Sequence, residues 1–182
     1  DQCILGDEAG FGKTVQFLLF LEHINKHSDW HGPFIVIADT DQLSKWKQEI
    51  EKWTNLYSII YDGDQDSCLI LRDFGFPAVD KDGNVQDNFL SFNILLVSYD
   101  TYYRDQDKLQ NYKWQIACLD NPTNILHSQL DFSFSFKGLD DSYKIILCDN
   151  LASFSNQQII CLLNFLQPSS TWNTSLFTKL YQ

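Results

Sequence analysis

The sequence predicts an α/β fold in three layers, with a mainly parallel sheet and helices on both of its faces. Two observations carry this prediction. Continuous apolar runs of strand length alternate with segments of helical periodicity, and such runs are typical of strands that are covered on both faces, as in parallel sheets. A glycine-rich turn at 6–14 also lies between the first apolar run and a helical one, which is the layout of a phosphate-binding loop.

The predicted elements alternate along the chain. Strands are predicted at 3–5, 34–38, 57–61, 92–97, 114–120 and 143–149, and helices at 13–26, 43–53, 68–74, 101–109 and 159–166. Residues 39–41 provide polar side chains suited to a helix cap, and residues 80–84 form the turn of a small hairpin. The alternation of Phe and Ser over 132–136 fits either a short strand or a loop that covers the sheet. We expect Trp46, Trp53 and Trp114 to lie in the core.

Composition excludes several classes of function. The 182 residues are 44% hydrophobic, enough for the core of one domain. The net charge is −11 and no basic tract is present, which argues against tight nucleic-acid binding by this chain. Five scattered cysteines without a CxxC pair suit a reducing compartment, and we expect Cys3, Cys118 and Cys148 to pack as small apolar groups. No membrane-spanning run is present. We expect the chain to be one lobe of a longer protein.

The turn at 6–14 supplies the candidate ligands of a nucleotide. Gly10 and Gly12 let the backbone curl around an anion. Lys13 would reach the β- and γ-phosphates, and Thr14 would offer its hydroxyl to Mg²⁺. ATP or ADP with Mg²⁺ is therefore the predicted ligand, although the consensus loop opens with Gly where this chain has Asp7. The alternative is a glycine-rich turn between strand and helix that binds nothing.

Several motifs together resemble one family. Gly6–Thr14 resembles the first helicase motif of the SNF2-type chromatin remodellers, in which the loop also opens with Asp-Glu, so Asp7 and Glu8 belong to the implied nucleotide site. Residues 32–38, with the Trp, Glu and Trp that follow at 46, 49 and 53, are similar to the next segment of the chromodomain-helicase (CHD) branch. Residues 97–100 resemble its Thr-Ser-Tyr-Glu motif, and residues 162–168 the helix that closes the first lobe.

This resemblance covers nearly the whole chain. It implies a single RecA-like, ATP-binding first lobe over residues 1–182, with a second helicase lobe elsewhere in the protein. It also implies work on chromatin in the nucleus.

The departures from the family pattern concern catalysis. Where the family has an apolar strand and Asp-Glu-Ala-His, this chain has Asp120 and then Asn121 and Pro122. On this comparison Asp120 is a candidate Mg²⁺ ligand, and Asn121 replaces the Glu that deprotonates the attacking water. A neutral amide does not accept that proton. An alternative register places the pair at Asp149 and Asn150, where the Glu is missing as well.

Two further motifs are altered. The family's Thr-Gly-Thr-Pro-Leu-Gln-Asn motif falls on 148–154, where nothing of it remains. A Pro-Leu-Ser-Thr-like stretch is replaced by residues 39–42, whose two added carboxylates would repel DNA phosphates. We therefore expect this lobe to bind DNA only weakly.

Three hypotheses follow from these patterns. The first is a degenerate lobe with weak or no ATP hydrolysis that acts as a scaffold among chromatin-associated proteins, in chromatin regulation or gene silencing, similar to plant proteins of the Morpheus'-molecule type. The second is the first lobe of an active DNA-dependent ATPase remodeller, which would need a substitute carboxylate such as Glu8. The third, a small-molecule kinase or other enzyme with a phosphate-binding loop, is disfavoured by the order of the other motifs.

Overall fold

The structure is a computed structural model that describes residues 2–80, 82–123 and 136–167. It contains a six-stranded parallel sheet and a two-stranded antiparallel hairpin. The strands are β1 (Cys3–Leu5), β2 (Phe34–Ala38), β3 (Ser58–Tyr61), β4 (Pro77–Val79), β5 (Val85–Leu90), β6 (Ile94–Ser98), β7 (Ile116–Asp120) and β8 (Tyr143–Leu147). The order in the sheet is β1-β8-β7-β2-β6-β3, and β4 pairs with β5.

Five α-helices connect or flank the strands in the described ranges. They are α1 (Lys13–His27), α2 (Thr40–Trp53), α3 (Gln65–Ile70), α4 (Tyr99–Leu109) and α5 (Asn156–Leu166). Helix α3 continues into a π-helical turn at Leu71–Gly75. Within the described part of the chain, none of the helices has the length and apolar character that a membrane crossing requires.

The sheet lies between two helical layers. Every residue of β2 is fully buried, and its side chains alternate between the two cores. Phe34, Val36 and Ala38 belong to the core beneath α1 and α2. Ile35 and Ile37 belong to the core that α3, α4 and α5 cover. The predicted three-layer α/β fold is confirmed.

Parallel pairing brings distant segments of the sequence together. Because the six strands run in one direction, their carboxyl ends meet at one edge of the sheet. The turn after β1, Asp39 after β2, Asn121 after β7 and Asp149 shortly after β8 all leave the sheet at this edge. The candidate site is therefore assembled from four separate stretches of chain.

Some local expectations are wrong. Trp53 was expected in the core but is 40% exposed, because it is the last residue of α2 and its indole bonds instead to Glu49 on the same helix. Cys3 is exposed because β1 is at the edge of the described sheet, whereas Cys118 and Cys148 are buried as expected. Asp39 occupies the N-cap position of α2, but its side chain makes no capping hydrogen bond.

The hairpin predicted around residues 80–84 is present as β4 and β5. The alternating stretch 132–136 lies outside the described residues apart from Phe136, which is buried. Residue 168, the last of the stretch compared with the family's closing helix, also lies outside them.

A buried ionic network fastens α4 to the sheet and to the segment after α3. The Asp105 carboxylate has no solvent exposure and accepts hydrogen bonds from Lys108 at 2.8 Å, Arg104 at 2.9 Å and the Tyr61 hydroxyl at 2.9 Å. Arg72, in the π-helical turn, donates to the same hydroxyl at 2.6 Å. Burial alone would raise the pKa of Asp105, but these hydrogen bonds outweigh it and lower the pKa to about 2.

We predict that Asp105→Ala destabilises the chain by about 3 kcal/mol, because several hydrogen-bond donors lose the buried acceptor that they share. Chemical denaturation measures the loss. Asp107→Ala is the matched control on the same helix, since the Asp107 side chain is largely exposed and pairs with Lys137 at 3.1 Å. An exposed pair of this kind contributes less than about 1 kcal/mol.

The pH dependence of stability provides a second readout of the same variant. With a pKa of about 2 in the folded chain and about 3.9 when unfolded, Asp105 contributes fully above about pH 4 and loses its contribution as the pH falls towards 2. The stability curve of Asp105→Ala should therefore fall less steeply over this range. Equal steepness in both proteins would contradict the assignment.

Candidate functional site

A cleft of about 600 Å³ opens at the carboxyl edge of the sheet. It lies between the turn after β1, helix α2 and the ends of β7 and β8. The residues that line it are Ala9, Gly10, Gly12, Lys13, Thr14, Asp39, Gln42, Lys45, Trp46, Gln48, Glu49, Asp120, Asn121 and Asp149. Most of the predicted site residues are therefore brought together, although the sequence separates them by more than a hundred positions.

The glycine-rich turn depends on left-handed backbone. Gly10 has φ 88° and Gly12 has φ 76°, values at which a side chain is strained. A β-carbon at either position would meet no atom within 4 Å, so backbone conformation rather than packing requires glycine here. Gly12 is the N-cap of α1, and Lys13 is the first helical residue. The positive end of the α1 dipole therefore lies at the cleft.

Lys13 is held by three acceptors. Its ammonium donates to the carbonyl oxygens of Asp7 at 2.7 Å and Glu8 at 3.0 Å, and it forms an ion pair with Oδ1 of Asp149 at 2.6 Å. Asp7 and Glu8 thus meet the lysine through their backbone.

Thr14 and Asp120, the predicted Mg²⁺ ligands, line the same cleft. Oδ2 of Asp120 accepts the indole N–H of Trp46 at 2.7 Å, and its backbone carbonyl accepts the Tyr99 hydroxyl at 2.9 Å. Burial raises the pKa of the Asp120 carboxyl. The Trp46 hydrogen bond lowers that pKa, while the nearby carboxylates of Asp149 and Asp39 raise it.

The fit of this arrangement to a metal ion is partial. A hydroxyl and a carboxylate at the edge of a cleft suit a hard cation that also binds phosphate. However, no group of three or more His, Cys, Asp or Glu side chains is placed to hold a metal in the described part of the chain. Mg²⁺ ligation by Thr14 and Asp120 stays a prediction.

Asn121 adopts a left-handed backbone conformation at the end of β7, with φ 47°. Its N–H donates to the carbonyl of Leu147 at 2.7 Å, and its Oδ1 accepts the Thr123 hydroxyl at 3.0 Å. Asn150, after β8, also has φ 47°. Both Asp-Asn pairs considered from the sequence therefore end at this edge, and in each the residue after Asp is a neutral amide.

Two contacts were not anticipated from the sequence. Trp46 was expected only to fill the core; it is buried, but its indole also bonds to Asp120. Asp149 was considered only as an alternative register, yet it pairs with Lys13. The sequence could have indicated the Trp46 contact, since a Trp on the inner face of α2 lies near the carboxyl edge of the sheet when α2 follows β2 directly. No sequence pattern indicated the Lys13–Asp149 pair.

Comparison with known protein families shows which family the chain belongs to. The model of the SNF2-related domain matches residues 1–182. The chain belongs to the SNF2-related domain family. Among curated relatives, this SNF2-related domain is 28% identical over 177 residues to chromodomain-helicase-DNA-binding protein 8 of Homo sapiens, covering 97% of the chain and 7% of the relative. It is 28% identical over 177 residues to protein 6 of the same series from Rattus norvegicus, covering 97% of the chain and 6% of the relative.

The fold of the SNF2-related domain has a solved counterpart. It matches the SWI2/SNF2 ATPase core of Sulfolobus solfataricus, solved in complex with double-stranded DNA, with a TM-score of 0.72 and 21% identity. The match covers 98% of this chain and 34% of that one, and at this identity it supports the fold alone. The predicted SNF2-family first lobe of the CHD type is confirmed. Its extent as a single lobe over 1–182, its site residues and the comparison with Morpheus'-molecule-type proteins stay predictions.

The Trp46–Asp120 contact leads to a prediction. Trp46→Phe keeps an aromatic ring against Phe17 but removes a donor from the half-buried Asp120 carboxylate, and we expect a loss of about 2 kcal/mol in unfolding free energy. Trp114→Phe is the matched control. Trp114 is equally buried, but its indole donates to the neutral carbonyl of Leu109 at 3.0 Å, so about 1 kcal/mol is expected.

Urea denaturation of both variants from pH 7 downwards tests the assignment. The excess loss in Trp46→Phe should shrink as Asp120 becomes protonated, because the indole N–H favours the ionised carboxylate. Equal losses at every pH in the two variants would contradict it.

Proposed function

We propose that this SNF2-related domain is a nucleotide-binding lobe with weak or no ATP hydrolysis, which serves as a scaffold in chromatin regulation or gene silencing. The single observation that carries the proposal is the side chain after Asp120. Asn121 lies at the edge of the cleft and its Oδ1 accepts a hydrogen bond from Thr123. An amide in this place does not accept a proton from water.

Retention of the phosphate-binding turn supports nucleotide binding. Lys13, Thr14 and the left-handed Gly10 and Gly12 face one cleft at the N-terminus of α1. A helix N-terminus with free N–H groups favours an anion. Mg²⁺, when bound with the nucleotide, supplies positive charge against the phosphates, and Thr14 and Asp120 are the residues that would hold it.

The setting of this activity is inferred from relatives. The named relatives are chromodomain-helicase-DNA-binding proteins, and the chain spans only about 7% of the length of the first of them. We infer a nuclear protein with chromatin-associated partners and a second helicase lobe. Direct DNA binding by this lobe should be weak, since Asp39 and the exposed Asp41 stand at the start of α2 and repel phosphates.

An active DNA-dependent ATPase is the second candidate. The observation in its favour is that Lys13, Thr14 and Asp120 all line the cleft. Losing the catalytic base typically removes a factor of about 10²–10⁴ in rate, so this candidate requires another carboxylate to replace the missing Glu.

Nucleotide binding is the first test. We predict that ADP or ATP with Mg²⁺ binds the chain in isothermal titration calorimetry, and that Lys13→Ala abolishes detectable binding because the phosphates lose their cation. Lys26→Ala, on the exposed end of α1 and paired with Glu22 at 2.7 Å, controls for charge. Equal binding by the wild type and Lys13→Ala would contradict a phosphate site at this turn.

Hydrolysis separates the two candidates. In the full-length protein, we predict that phosphate release from ATP is not stimulated by double-stranded DNA and does not exceed the level of Lys13→Ala. Phosphate release is followed by a coupled absorbance assay. DNA-stimulated turnover that Lys13→Ala removes would reject the scaffold and establish the remodeller.

A further inference from the structure

The Lys13 ammonium has no donor to spare. It carries three N–H groups, and the three acceptors at 2.7, 3.0 and 2.6 Å are the carbonyls of Asp7 and Glu8 and Oδ1 of Asp149. The lysine side chain is only 10% exposed. A phosphate oxygen can therefore bond to this ammonium only if one of the three acceptors withdraws.

Asp149 is the acceptor that can withdraw. Its side chain is 48% exposed, so it can rotate into water. The two carbonyls belong to the curled backbone of the turn, and their removal would need the turn to unwind. The Asp149 carboxylate also shares its negative charge and oxygen geometry with a phosphate, which makes it a direct competitor for the lysine.

The backbone around Asp149 is fixed, so release is a matter of side-chain rotation. The N–H of Cys148 donates to the carbonyl of Leu5 at 3.0 Å, which joins this stretch to the end of β1. Asn150 is held in a left-handed conformation, and Leu151 packs on Gly6, where a β-carbon would lie 3.0 Å from its side chain. Asp149 is thereby anchored on both sides beside the start of the phosphate-binding turn.

We propose that Asp149 is an internal anionic occupant of the phosphate site, which must leave Lys13 before a nucleotide phosphate can bind there. The proposal rests on the proposed nucleotide-binding function. The apparent affinity for nucleotide equals the affinity of the state in which Lys13 is released, multiplied by the fraction of molecules in that state. Removing the carboxylate should therefore tighten binding without adding any contact to the ligand.

The negative charge of the cleft as a whole also weakens nucleotide binding. The experiment must separate this effect from that of the Lys13–Asp149 pair. The lining of the cleft contains four carboxylates and two lysines, namely Asp39, Glu49, Asp120, Asp149, Lys13 and Lys45. Any neutralised carboxylate would favour a polyphosphate to some extent. Glu49 is a suitable comparison, since its carboxylate bonds to the Trp53 indole at 2.7 Å and Glu49→Gln removes one charge from the lining while the Lys13–Asp149 pair is kept.

The experiment titrates ADP with Mg²⁺ into the 182-residue chain by calorimetry, comparing wild type, Asp149→Asn, Glu49→Gln, Lys13→Ala and Lys13→Ala/Asp149→Asn. Circular dichroism and thermal unfolding confirm that each variant is folded. We expect Asp149→Asn to bind about three- to tenfold more tightly than wild type and to exceed the gain of Glu49→Gln. In the Lys13→Ala background, Asp149→Asn should not restore binding, because the expected gain comes from releasing Lys13.

Two results would overturn the proposal in distinguishable ways. If Asp149→Asn binds ADP no more tightly than Glu49→Gln, while Lys13→Ala still abolishes binding, the nucleotide site stands and the competing role of Asp149 is wrong. If no folded variant binds ADP, the proposed nucleotide-binding function is itself wrong and the inference about Asp149 falls with it.

Discussion

Parallel pairing of the six strands is the constraint on which the rest of this structure depends. Each strand is only three to five residues long, yet the common direction gathers the residues that follow β1, β2, β7 and β8 at one edge. Lys13 and Asp149 are 136 positions apart in the printed sequence and meet at 2.6 Å. A shift of β8 by one residue against β1 or β7 would turn its buried side chains to the opposite face, so the geometry of the cleft is as fixed as the core.

The two halves of the core support this edge in different ways. On one face, Phe17 of α1 and Trp46 of α2 are buried and pack edge to face. The Trp46 indole also donates a hydrogen bond to Asp120 in the cleft. On the other face, α4 is fastened by the buried Asp105 network, which lies on the side of the sheet away from α1 and α2. The layer of α1 and α2 therefore positions Asp120 in the cleft, whereas the opposite layer attaches α4 to the sheet.

The sequence predicted the layers well and the polar contacts poorly. The continuous apolar runs fix which segments are strands, since β2 and β6 are buried throughout. Helical periodicity placed Trp46 in the core but misplaced Trp53, because periodicity does not tell where a helix passes beyond the sheet. Which acceptor Lys13 selects depends on side-chain rotation and on strand order, and neither is encoded in local spacing. The sequence therefore named several residues that line the cleft but not the contacts that Lys13 and Asp120 make there.

The left-handed backbone at Asn121 limits which side chains this position accepts without strain. At φ 47°, a residue with an ordinary side chain is strained by about 1 kcal/mol, and Asn and Asp are the tolerated exceptions besides Gly. A Glu at this position would meet that strain, next to a proline at 122 that restricts the preceding residue further. An Asn121→Glu substitution would therefore carry a backbone cost as well as a change in the chemistry of the cleft.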